Sequence, residues 1–92
     1  MDGPLLQTGV ETWDRMMNMN ARSAFLFFRA ALAPMSKANA GRLIAVGSRS
    51  GEQPSPGMGA YAASKAALHM LVISTAAELR QTGITVNAVL PS

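Results

Sequence analysis

Ninety-two residues leave room for one small domain at most. A hydrophobic fraction of 49% and the absence of cysteine exclude a disordered chain, a disulfide scaffold and a thiolate metal site, and they fit a cytoplasmic setting. The net charge of +3 comes from basic residues scattered singly, with no run and no interleaved aromatics, which argues against nucleic-acid binding.

No apolar stretch approaches the ~20 residues that cross a bilayer, so no membrane span is expected. The opening Met1-Asp2-Gly3-Pro4 has neither the basic start nor the apolar core of a signal peptide. Gly3 and Pro4 mark residues 1 to 7 as a loop. Thr8-Gly9-Val10-Glu11 has the pattern of a capping box, which predicts a helix start there. The helix carries an apolar stripe through Trp13, Met16, Met17, Ala24, Phe27, Phe28 and Ala31. Pro34 predicts an end or a kink near Ala33. Asn39-Ala40-Gly41 has turn chemistry.

Leu43-Ile44-Ala45-Val46 is a short continuous apolar run, the pattern of a strand buried on both faces of a parallel sheet. A Gly-, Ser- and Pro-rich loop runs from Gly47 to Gly59. A second helix follows from about Gly59 to Thr82, with Gly83 as its expected cap. Leu68, Leu71, Val72, Thr75 and Leu79 form one apolar face of it, and Ala62, Ala66, Met70, Ile73 and Ala77 nearly another. A helix apolar on two sides needs two covers, a sheet and a partner subunit. Ile84 to Leu90 reads as a second strand.

The expected order is therefore helix, strand, helix, strand: an α/β fragment of a doubly wound parallel sheet. Two strands and two helices cannot cover both faces of such a sheet. The expectation is a larger domain of which residues 1–92 are a part.

The chemistry centres on Tyr61 and Lys65. Four residues apart on a helix, they share one face. An isolated phenol ionises only near pH 10, and a neighbouring cation favours the phenolate. Tyr-x-x-x-Lys is a weak signal alone, and two neighbours on a surface helix are the commoner case. Placement strengthens it. In parallel α/β sheets ligands gather outside the carboxyl ends of the strands. Ser48 leaves the first strand at that end, and Tyr61 opens the helix that follows. Ser50 and Ser64 are rival hydroxyls, and turn serines commonly serve only their own backbone.

Asn20 falls on the apolar stripe of the first helix, where a buried amide must be hydrogen-bonded. It is either a packing amide or a polar link to the crevice. His69 has no second ligand at metal spacing, which points to a structural or surface role. The methionines at 16, 17 and 19 read as core filler. Gly57-Met58-Gly59 lacks the context and the third glycine of a dinucleotide fingerprint.

Together these residues form a wider pattern. Gly41 to Ser48, Tyr61-x-x-x-Lys65 with Ala63-Ser64 inside it, Val86-Asn87-Ala88-Val89-Leu90-Pro91 and Met19-Asn20 resemble the short-chain dehydrogenase/reductases. The separation of thirteen from Ser48 to Tyr61 matches that family's spacing.

The resemblance implies a Rossmann-like domain using NAD or NADP and a hydride transfer with an alcohol or ketone substrate. It makes Tyr61 the general acid/base. Lys65 tunes Tyr61 and holds the nicotinamide ribose, and Ser48 binds the substrate oxygen. Asn20 supports a water in the proton relay, and Pro91 lies beside the nicotinamide. The two long helices resemble those through which the family forms homo-oligomers, dimers or tetramers.

Three departures accompany it. The family's glycine-rich phosphate turn and Asn-Asn-Ala-Gly segment are not in these residues. Ser92 stands where glycine is usual, and Gly47 where serine is frequent. The resemblance makes the 92 residues the catalytic centre of a domain truncated at both ends, expected to be inactive alone. An inactive fragment acting only as a helix-mediated interaction module is the alternative.

Overall fold

The computed structural model describes residues 4–48 and 56–90. A short 3-10 turn, Leu5–Gln7, leads into one long helical path. That path consists of α1 (Val10–Met16), a π-helical segment (Met17–Arg22) and α2 (Ser23–Ala38). Strand β1 (Gly41–Val46), helix α3 (Gly59–Glu78) and strand β2 (Ile84–Val89) complete the order. The helix, strand, helix, strand reading holds.

The helix ends differ from expectation in three places. Gly9, not Thr8, is the N-cap of α1, and no side chain caps it. The hydroxyl of Thr8 donates to the Pro4 carbonyl instead, drawn into the preceding turn. Pro34 does not end its helix, because α2 continues to Ala38. Ala30, Ala33 and Pro34 are exposed, so water can serve the carbonyl that proline leaves without an amide partner. The left-handed residue that does end α2 is Asn39, at φ 51°. The amides of Asn39 and Ala40 close back on the carbonyls of Ser36 and Met35, at 3.3 and 3.2 Å.

At the other junction, α3 stops at Glu78, ahead of Gly83. The Gly83 amide donates to Asn39 Oδ1 at 3.1 Å. A methyl group on Gly83 would collide with the Asn39 carbonyl. Glycine is therefore needed there for close approach, and it ties the two helix-to-strand turns together.

The strands pair in parallel, with Leu43 opposite Val86 and Val46 opposite Val89. Both helices lie against one face. Phe28 of α2 and Leu68 and Val72 of α3 meet Leu43, Ile84 and Val86 in a single core. Ala24, Ala31, Leu32, Met35, Leu71 and Leu79 pack around its rim.

The other face of the sheet has no cover among the described residues. Ile44, Val46 and Val89 are exposed, so the continuous apolar run resolves into alternate residues facing the core. Phe27, expected on the buried stripe, is 64% exposed, and Trp13 is exposed as well. Phe27 sits one position round from Phe28 and lines a groove beside Ile44 and Val46. Among the described residues no helix is long and apolar enough to cross a membrane.

Candidate active site at the carboxyl end of β1

The apolar run of β1 carries the chain into the sheet, and Gly47 lets it leave. Its amide makes one more ladder bond, to the Val89 carbonyl at 2.8 Å. Ser48 follows, half-buried, just beyond the end of the strand.

Helix α3 returns over this end. Its alanine-rich start suits helix formation, and Ala60 packs into the interior. Tyr61 and Lys65 occupy successive turns of one face. The Lys65 ammonium lies 5.8 Å from the Tyr61 ring centroid, within the range of a cation–π contact. It also donates to the Val46 carbonyl at 3.4 Å. Lys65 therefore reaches inward to the strand end rather than out into solvent. The same groove is lined by Asn20, Ser23, Ala45, Val46 and Lys65.

Asn20 lies within the π-helical segment, half-buried. A π turn widens the helix by one residue and is frequent at functional sites. Asn20 Nδ2 donates to Ser64 Oγ at 2.9 Å. Ser64 in turn donates to the Tyr61 carbonyl at 2.7 Å. The amide is satisfied by a side chain of α3, not by backbone. The relay links the π segment to the turn that carries Tyr61.

Ser64 is 0% exposed. As a rival to Ser48 it is excluded by burial, since it cannot meet a ligand. Ser50, Pro91 and Ser92 lie outside the described residues. Asn20, Ser48, Tyr61 and Lys65 thus all belong to the junction of the π segment, the start of α3 and the end of β1.

The sequence pointed to a structural or surface role for His69 but not to its partner. Its Nε2 accepts the Ser48 amide N–H at 3.3 Å. The signal was available in the spacing: Tyr61, Lys65 and His69 recur every four residues on one helical face. Among the described residues no group of His, Cys, Asp or Glu could hold a metal ion.

Lys65 has donors to spare. An ammonium has three donors, and the Val46 carbonyl takes one. The rest face an open groove at the end of the sheet where α/β proteins hold ligands.

The short chain dehydrogenase family model matches residues 1–92. A short-chain type dehydrogenase/reductase of Picea abies is 44% identical over 87 residues, which cover 95% of this chain and 32% of that protein. A cyclopentanol dehydrogenase of Comamonas sp. is 41% identical over 88 residues, covering 96% of this chain and 35% of that one. The crystal structure of an NAD+-bound xylitol dehydrogenase superposes with a TM-score of 0.91 at 30% identity, covering 99% of this chain and 36% of that one. The chain spans about a third of the length of the relatives it matches. A parallel strand pair under two helices, a Tyr–Lys face at the strand end and a family match over every residue lead to one conclusion: the chain belongs to the short-chain dehydrogenase family.

Proposed function

We propose that these residues are the catalytic part of a larger Rossmann-like domain that transfers a hydride between NAD or NADP and an alcohol or ketone. One observation carries the reading. Lys65, one turn beyond Tyr61, reaches the carbonyl of Val46, and the Ser48 hydroxyl follows two residues later at the same strand end.

A bound nicotinamide supplies or accepts the hydride at the substrate carbon. The protein's own groups handle the oxygen and its proton. In the reducing direction Ser48 donates a hydrogen bond to the ketone oxygen and fixes it. Tyr61 gives that oxygen its phenolic proton as the carbonyl becomes an alcohol, and it takes the proton back in the reverse direction. Lys65 keeps positive charge beside the phenol and offers its remaining donors to the ribose hydroxyls. Asn20, through Ser64, holds the turn that aims Tyr61. Pro91 is assigned beside the nicotinamide from the family pattern alone.

The test is the consumption of NADH or NADPH against a series of ketones, and the reverse with secondary alcohols, by the protein as its gene encodes it. Turnover that requires both nucleotide and ketone is expected. Ser48→Ala should lower kcat/KM for the ketone about tenfold to a hundredfold, the scale of one hydrogen bond to developing charge. It should leave the KM for the nucleotide in place. No turnover with either nucleotide, or a full rate in Ser48→Ala, would contradict the assignment.

A homo-oligomer formed through α2 and α3 belongs to the same proposal. Phe25, Met70 and Ile73 leave apolar surface on these helices. It is also what the non-catalytic reading, a helix-mediated interaction module, would require. Sedimentation should give a dimer or tetramer that dissociates in Ile73→Glu; a strict monomer would remove both.

A further inference from the structure

We infer that His69 is a positioning residue for Ser48, holding the main chain of the catalytic serine by accepting its amide hydrogen. The inference rests on the proposed role of Ser48.

The need arises where the sheet ends. The Gly47 amide still finds a ladder partner, the Val89 carbonyl at 2.8 Å. The next amide of the exit, that of Ser48, is half-buried and donates to His69, with Nε2 at 3.3 Å from the Ser48 nitrogen. Buried main-chain amides are held by such bonds.

Gly47 supplies an independent observation. A methyl group placed there would collide with His69 Nε2, and would stand 2.7 Å from its Cδ2 and 2.8 Å from Leu90 Cδ2. The imidazole edge is therefore pressed against the backbone of the residue before Ser48. Contact at Gly47 and a hydrogen bond at Ser48 fix two consecutive residues as the chain leaves β1.

His69 stands one turn beyond Lys65 on α3, and Lys65 already holds the Val46 carbonyl. Two successive turns of the helix thus grip the end of the strand, at residue 46 and at residue 48. The helix that carries Tyr61 thereby also sets the position of Ser48. The distance between the two hydroxyl-bearing residues is set by one rigid element rather than by a loop.

An acceptor at Nε2 requires that nitrogen to be bare, so the neutral ring carries its proton on Nδ1. Nitrogen NMR of the wild-type protein should find that tautomer, and the Ser48 amide should exchange slowly with solvent. A proton on Nε2 overturns the inference. His69→Leu removes the acceptor at similar bulk, whereas His69→Gln can offer a carbonyl oxygen in its place. We expect His69→Leu to lower kcat for ketone reduction about tenfold, the equivalent of one hydrogen bond. It should speed exchange of the Ser48 amide by a similar factor and leave the KM for the nucleotide unchanged. His69→Gln should recover most of both. A purely structural histidine would not show this rescue or this split between kcat and KM. If Ser48→Ala is slow while His69→Leu turns over at the full rate, the His69 inference fails alone. If Ser48→Ala is itself as fast as wild type, the reading of Ser48 fails and takes this inference with it.

Discussion

Tyr61→Phe should abolish nearly all turnover while leaving the fold in place. The substitution removes one oxygen and keeps the ring. Positioned proton transfer contributes roughly a factor of 10² to 10⁴ to a reaction rate, and kcat is expected to fall by that factor. Tyr61 is half-buried at the start of α3. Its ring can keep the contact with Lys65, because the face of a phenylalanine ring also attracts a cation. The loss of stability should not exceed that of an ordinary hydrogen bond, about 1 kcal/mol. The measurement pairs steady-state rates with urea unfolding of the same preparation. A rate within threefold of wild type would take the proton-donor role away from Tyr61. A rate lost together with the unfolding transition would show that the hydroxyl serves the fold rather than the proton transfer.

The second large effect is on stability. Phe28 is 5% exposed and packs with Leu43, Leu68, Val72, Ile84 and Val86. Phe28→Ala removes the one aromatic ring of that core and leaves a cavity between both helices and the sheet. Such truncations cost about 3–5 kcal/mol. Folded domains are stable by about 5–15 kcal/mol. The variant should therefore lose about a fifth or more of such a reserve and shift the urea midpoint accordingly. The neighbour provides the contrast. Phe27 is one residue away and exposed, so Phe27→Ala should cost far less than Phe28→Ala. Equal losses at the two positions would contradict the core described here.

The features legible in the sequence were those with a local period. Tyr61 and Lys65 could be placed on one face because helical spacing alone does so. β1 was visible as an apolar run between Arg42 and Gly47. Asn20 stood out as an amide on an apolar stripe, but its partner did not. Ser64 is 44 positions away along the chain, and no local rule pairs them. His69 was hidden for a different reason: its partner is a main-chain amide, which carries no signature in the residue type. The helix ends were misread where side-chain rules met solvent or a neighbour. Pro34 passes through its helix because water can reach the freed carbonyl. Gly83 resembles a helix cap, but Asn39 and a close backbone approach account for it. Ile44 and Val46, read as doubly buried, are exposed here, since a strand's hydrophobicity does not say which cover is present.

The π-helical stretch from Met17 to Arg22 makes the chain's length there a matter of architecture. With 3.6 residues per α-helical turn, one residue corresponds to roughly 100° of rotation and a 1.5 Å step. A single-codon deletion in this stretch would let the widened turn relax to an ordinary one. The flanking helices would keep their phase, while residues inside the stretch would shift around the axis by up to that angle. Residue identity could be preserved at every remaining position and the Asn20 amide would still face away from Ser64. Here the count of residues, as much as their chemistry, holds the junction together.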